Sequence, residues 1–299
     1  MCDLVERVKN SLVSYNNLIW FPHLTKDLVK IGWRDIIHTY GLTKSNYSTG
    51  RLISGNLDAQ CGLVACISSL VDYMACEESA IQIELLADDI AHKYRKDGVD
   101  FYTIEEIVST TVLDCLTDAI TLITRVPSLA ATVTTLTKTL HIIRPEDDAN
   151  DVSFSEPHIP FSIFVSVPLK RQRNDALRVA ESIVHEAMHL QLTLVERITP
   201  LIKHSDKTYY SPWREEYRPI QGVLHASYVF RVIDEFLAHL QLESSLSDEN
   251  IVYIDKRRKQ IADQIRKVQY LKVCHDLTRE AQSFAKRLIE RSQPTCVTI

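Results

Sequence analysis

Seven glycines in 299 residues is the feature that most restricts this chain. Glycine turns a backbone through positive φ without steric penalty, and hairpin-rich β folds depend on it. Here Leu, Ile, Ala and straight-chain charged residues are abundant instead, and these favour helices. The expected class is therefore mainly α with a small β component, not a turn-rich sandwich. Apolar residues at 45% and charged residues at 24% are the mix of a folded chain, so disorder is not the starting expectation.

Apolar residues recur at three- and four-residue steps over Leu4–Trp20, Thr25–Tyr40, Glu78–Tyr94 and Ile104–Leu122, which predicts helices. Cys61–Met74 is apolar nearly all round and reads as a buried helix, after a polar stretch at Ser45–Asn56. A Thr-rich segment from Pro127 to Ile143 fits helix or strand. Arg144–Asp151, with Pro145 and an acidic run, is the expected boundary. It divides a helical region 1–148 from a second region 149–299, the two packed as one compact unit. Beyond it, Phe161–Pro168 is a β-branched and aromatic run between Pro160 and Pro168. It reads as a strand near a sheet edge, since proline cannot donate to a ladder.

Helices are expected next at Asn174–Glu196, Gln221–Leu242 and Ile254–Ile289. From Ile251 onward there are 11 basic and 5 acidic residues, against a net −5 for the whole chain. That basic end is read as a solvated face, with an acidic partner as the alternative. The negative total argues against a dedicated nucleic-acid binder. No apolar run reaches the roughly 18 residues of a membrane span, and Met1–Arg7 leads into no signal-peptide core. The seven cysteines are scattered and form no CxxC pair, which suggests reduced thiols and a cytoplasmic protein. Cys296-Val297-Thr298-Ile299 has the outline of a prenylation box, but Thr298 and Ile299 fit it poorly.

The chemistry concentrates at His185-Glu186-Ala187-Met188-His189. Positions i and i+4 share a helix face, so this HExxH pattern lets both imidazoles bind one metal. The helix around it is otherwise apolar, and polar groups buried there need something to satisfy them. Two core histidines bonded to backbone are the plain alternative. A third ligand is needed. Leu192 and Val195 occupy the positions where metzincins continue their motif, which excludes that class. Gluzincins take theirs from a glutamate on a later helix, which makes Glu235 one candidate, and His225 is the other. His204, His239 and His275 lack comparable context.

The segments after HExxH are Ser211-Pro212-Trp213-Arg214, Arg218-Pro219 and Gly222-Val223-Leu224-His225. With HExxH they resemble the HExxH-type 2-oxoglutarate-dependent peptide β-hydroxylases, which modify ribosomally made precursor peptides. The resemblance covers roughly Ser155 to Phe236 and no motif outside it. It implies Fe(II) held by His185, His189 and His225, with 2-oxoglutarate and O₂ as cosubstrates. Three neutral imidazoles fill one face of an octahedral ion and leave three positions open. The distal carboxylate of 2-oxoglutarate calls for a planar guanidinium, from Arg218 or Arg214, with Arg218 preferred because Pro219 stiffens it. Trp213 and Tyr217 either wall this pocket or pack. Glu186 has no base role to play in such an enzyme, and would orient a ligand or hold substrate. In a zinc peptidase it would be the general base instead. A non-catalytic module with a structural metal is the third alternative. The strand at Ile159–Val167 is expected to receive the extended peptide by edge addition.

Overall fold

The computed structural model describes residues 2–15, 18–40, 81–86, 88–109, 111–146, 151–156, 159–203, 206–242 and 246–291. The helix expected at Cys61–Met74 and the polar stretch at Ser45–Asn56 lie outside these. The chain is mainly helical with small sheets, as its composition implies. Among the described residues, no helix is long and apolar enough to cross a membrane.

The chain forms two compact units, residues 29–190 and residues 1–28 with 191–299. The division is not at 148/149. Strands β3 (Thr139–Arg144) and β5 (Ile159–Ser166) lie on either side of that point and pair in parallel over five residues, Thr139↔Ser162 to Ile143↔Ser166. Pro145, Glu146 and Asp151 therefore fall between two paired strands of one sheet. The chain passes between units inside two helices, α2 (Pro22–Tyr40) and α7 (Asp175–Ile198).

In the unit 29–190, β1 (Gln82–Ile83), β3, β5 and β4 (Ser153–Glu156) form a mixed sheet in that order. β2 (Asp100–Phe101) pairs antiparallel with the end of β3. β5 is therefore internal, paired on one side with β3 and on the other with β4. The edge expectation fails because neither proline has to donate: Pro160 sits where the β4 ladder shifts register and ahead of the β3 ladder, and Pro168 lies past the strand. Pro160 precedes the first β3 partner, Ser162, and Pro168 follows the last strand residue. Both faces of β3 and β5 are buried, as in sheets covered on two sides. On one face His141, Phe164 and Phe154 stack across β3, β5 and β4, with centroids 4.5 Å apart at each step. Tyr94, Phe101, Leu86 and Val99 pack around Phe164 and Ile143.

The helices of this unit are shorter than the periodicity predicts. Glu78–Tyr94 yields β1 and then α3 (Asp88–Lys96). Ile104–Leu122 is split into α4 (Ile104–Ser109) and α5 (Val112–Thr124). The Thr-rich segment is both things in turn, α6 (Pro127–Leu136) with proline in its first turn and then β3.

In the other unit, α1 (Cys2–Val13) stops well short of Trp20. α8 (Ile220–Gln241) is buried around most of its circumference and is the central element. It follows the hairpin of β6 (Thr208–Ser211) and β7 (Glu216–Pro219). The single helix expected over Ile254–Ile289 is broken into α9 (Asp248–Arg266), a 3₁₀ turn (Gln269–Val273) and α10 (Arg279–Glu290). The break has a cause. The main chain near Asp276 and Thr278 bonds residues 201–203 (Lys203 N to Asp276 O, 2.8 Å; Thr278 N to Leu201 O, 2.9 Å). The Thr278 hydroxyl then caps α10 by accepting from Ala281 N.

Candidate metal centre

α7 begins at a fixed point. The Asp175 carboxylate accepts from Gln172 N at 2.6 Å and pairs with Arg178, which closes the first turn. From there Leu177, Ala180, Ile183, Val184, Ala187 and Met188 bury the apolar stripes that the sequence shows. His185 and His189 are left one turn apart on the remaining face. Their rings meet edge to face and their Nε2 atoms are 3.1 Å apart.

Two imidazoles sharing one cation at metal–nitrogen distances of about 2.0–2.1 Å hold their nitrogens about 2.8–3.4 Å apart, for angles between a right angle and a tetrahedral one. The observed separation lies in that window. A direct hydrogen bond between the rings gives the same distance when one ring carries its proton on Nε2. The pair is thus geometrically fit for a metal.

Glu186 is buried beside it. Its Oε1 accepts from Ser153 Oγ on β4 at 2.9 Å and lies 3.9 Å from His185 Nε2. The carboxylate is placed by the sheet, next to the atom that would carry the metal. Ser153 had no signal in the sequence, because its role comes from β4 pairing.

In the other unit, His225 sits in the second turn of α8 and is largely buried. Its Nε2 is 3.2 Å from Glu196 Oε2, near the end of α7. Gln221 Nε2, one turn before His225, donates to the same oxygen at 2.7 Å. Glu196 was missed in the sequence. Its signal was its spacing: seven residues after His189 returns to the same helical stripe within about 20°.

Arg218 lies on β7. Its Nε is 3.9 Å from where a Cβ on Gly222 would stand, so the guanidinium rests on the first turn of α8, three residues before His225. Glu216 pairs with it at 3.4 Å, and about two-fifths of the side chain remains exposed (43%). Arg214 is in the exposed turn of the same hairpin. Trp213 packs: its ring stacks on Phe230 at 5.4 Å, nearly parallel. Tyr217 is exposed.

Glu235 is paired with an arginine. Its Oε1 lies 2.5 Å from Arg291 Nε. Burial pushes its carboxyl up to about 7, in spite of Arg291, Arg231 and Arg287 nearby. Among the described residues, no cluster of three or more His, Cys, Asp or Glu side chains is drawn together at metal-holding distance within either unit. The His pair and His225 belong to different units. Comparison with protein-family models and with curated proteins finds no match to this chain.

Proposed function

We propose that the chain is an Fe(II)- and 2-oxoglutarate-dependent hydroxylase acting at a side-chain β-carbon of a ribosomally made precursor peptide. What carries the reading is the His185–His189 pair, two Nε2 atoms held 3.1 Å apart by one turn of helix. The third ligand, His225, and the peptide substrate come from the sequence resemblance. When bound, the metal and 2-oxoglutarate supply O₂ activation and the oxygen inserted into an unactivated C–H bond.

The chain's own residues have four tasks in this reading. His185 and His189 present neutral imidazole lone pairs from a rigid helix. Glu186, fixed by Ser153, holds the orientation of His185 or a donor on the substrate. Arg218 offers a guanidinium to the distal carboxylate of 2-oxoglutarate. That carboxylate competes with Glu216, an exposed acid that water can take over. The peptide does not add to β5, which is internal to its sheet. Buried unpaired thiols at Cys115 and Cys274 suit a reducing, cytoplasmic setting.

A second reading has one observation in its favour. The buried Glu186 carboxylate lies 3.9 Å from His185 Nε2, where a zinc peptidase keeps its general base. One titration separates the two. Fe(II) and 2-oxoglutarate are added to metal-free protein without oxygen, and the visible charge-transfer band of the chelate is sought. The hydroxylase gives a band that is lost in His185→Ala, His189→Ala and His225→Ala. In Arg218→Ala it needs far more 2-oxoglutarate. No band, with zinc tightly retained, assigns the hydrolase, and Glu186→Gln then removes peptide cleavage.

A further inference from the structure

We infer that the substrate peptide adds as an extended strand to the outer edge of β4, and that the residue paired with Ser153 is the one modified. The inference rests on the hydroxylase reading above and deepens it. It uses residues of the unit 29–190 alone.

β4 ends the sheet order β1-β3-β5-β4. The register decides which of its backbone groups are spent. Ser166 N donates to Val152 O at 2.9 Å, so Val152 faces β5. In an antiparallel ladder, residues that bond the partner alternate with residues that face outward. Ser153, paired with Val165, therefore turns its N–H and C=O away from β5, and Phe154 turns back toward it. Past Phe154 the register shifts, and that irregularity ends the regular edge. The edge thus offers one donor and one acceptor, both on Ser153, and neither is bonded among the described residues.

Side chains alternate too. Phe154 stacks on Phe164 on one face of the sheet. Ser153 points to the other face, where its Oγ meets Glu186 of α7 at 2.9 Å. Glu186 Oε1 lies 3.9 Å from His185 Nε2, and the histidine is the more open of the two, 26% exposed against 7%. A strand added to β4 lies about 4.8 Å beyond it. The residue opposite Ser153 shares its face and directs its side chain at α7, on the side of Glu186 and His185. Its two neighbours point the other way, beside Phe154 and the exposed Val152. The substrate class is therefore an extended apolar–X–apolar segment, with X the hydroxylated residue. Main-chain bonds hold such a strand, and its alternate side chains set the register. A peptide fits this edge better than a second copy of the chain, because one outward-facing residue is too little for a sheet between copies.

The test uses the full chain and fluorescein-labelled heptapeptides Gly-Ser-Val-X-Val-Ser-Gly, with X varied over every residue that has a β-hydrogen. Binding is read by fluorescence anisotropy. The tightest member should bind about 10-fold better than its counterpart with Asp in place of both Val. N-methylation at X should weaken it about 10-fold if the strands are antiparallel, or at the residue after X if they are parallel, and never at both. Ser153→Pro removes the outward N–H and no bond to β5, while Ser153→Ala keeps that N–H and controls for the lost hydroxyl. The proline variant should bind about 10-fold more weakly than the alanine variant. Circular dichroism checks both folds, and if the proline variant is unfolded the N-methyl scan on wild type decides. Fe(II), 2-oxoglutarate and O₂ are then added, and mass spectrometry seeks one oxygen atom gained at X, the other leaving in succinate as 2-oxoglutarate loses CO₂. No binding by any member, N-methyl sensitivity at both positions or at neither, or equal binding by two folded Ser153 variants overturns the inference. So does a dimer of the free chain that Ser153→Pro dissolves, which would give the edge to a second copy. Binding with the expected pattern but no oxygen at X keeps the docking edge and removes the hydroxylase reading. Oxygen gained without that pattern does the reverse.

Discussion

Acid should loosen the central sheet before it reaches ordinary carboxylates, and His141 is the reason. The ring is 1% exposed on β3, stacked on Phe164, with Nδ1 2.9 Å from Glu84 O. A carbonyl only accepts, so Nδ1 carries a proton; the Glu84 carboxylate lies 3.9 Å from Nε2 on the other side of the ring. Burial lowers its pKa from 6.5 to about 4. A base depressed in this way contributes stability that is full above the ordinary value, near 6.5, and is lost as pH falls through the folded value. At pH 5 the loss is about 2 kcal/mol, and at pH 4 about 3 kcal/mol. The assay is hydrogen exchange of β3 and β5 peptides at pH 7 and pH 5, corrected for intrinsic rates. His141→Asn keeps a donor for the Glu84 carbonyl but cannot titrate. It should be less stable at pH 7, having lost the stack on Phe164, yet should lose about 2 kcal/mol less than wild type on going to pH 5. Equal losses in the two proteins would refute the reasoning.

Three further outcomes follow from the other unit. Gln191 is fully buried and accepts from Tyr228 Oη at 2.5 Å and Phe21 N at 3.3 Å, while donating to Thr25 Oγ1 at 3.0 Å. Gln191→Leu strands those groups and should cost about 2–4 kcal/mol in urea unfolding. Arg287 is 0% exposed and donates to Ser11 O and Leu18 O. Arg287→Met should cost about 3–5 kcal/mol and lower the melting temperature, because it takes the donor from two main-chain carbonyls at once. Glu235, raised to about 7, favours the fold when protonated, so its contribution is full below its ordinary value of 4.5 and fades as pH rises through 7. Glu235→Gln should flatten that decline in denaturation measured between pH 5 and pH 8.

The local half of this architecture was legible. The helix around His185 and His189 was expected over Asn174–Glu196 and runs Asp175–Ile198, because its apolar stripes are strong enough to decide both type and length. The strand at β5 was equally plain in its β-branched run. What could not be read was who pairs with whom. The prolines of β5 suggested an edge, and the acidic run after β3 suggested a boundary. Both are statements about local polarity, whereas strand order depends on partners far along the chain. The site divides in the same way. The i, i+4 spacing gave the His pair, but Ser153 and Gln221 acquire their roles only through tertiary placement. Arg287 shows the limit most clearly. In a basic segment read as a solvated face, it is one of the largest fully buried side chains.

The order of synthesis gives that buried arginine a further consequence. Its bond to Ser11 spans 276 residues, so α1 is made long before the helix that covers it. At 5–20 residues per second the interval is about 15–55 s, far longer than any helix takes to form. For most of it Trp20 and Phe21, both buried at the end, wait for His239, Tyr228 and Phe284 to be made. The unit 29–190 has all its chain in hand well before then. The nascent protein therefore carries adhesive apolar surface on this opening segment while the rest of its unit is still being made. Slower translation or a shortage of chaperones should show first as aggregation seeded by the opening segment.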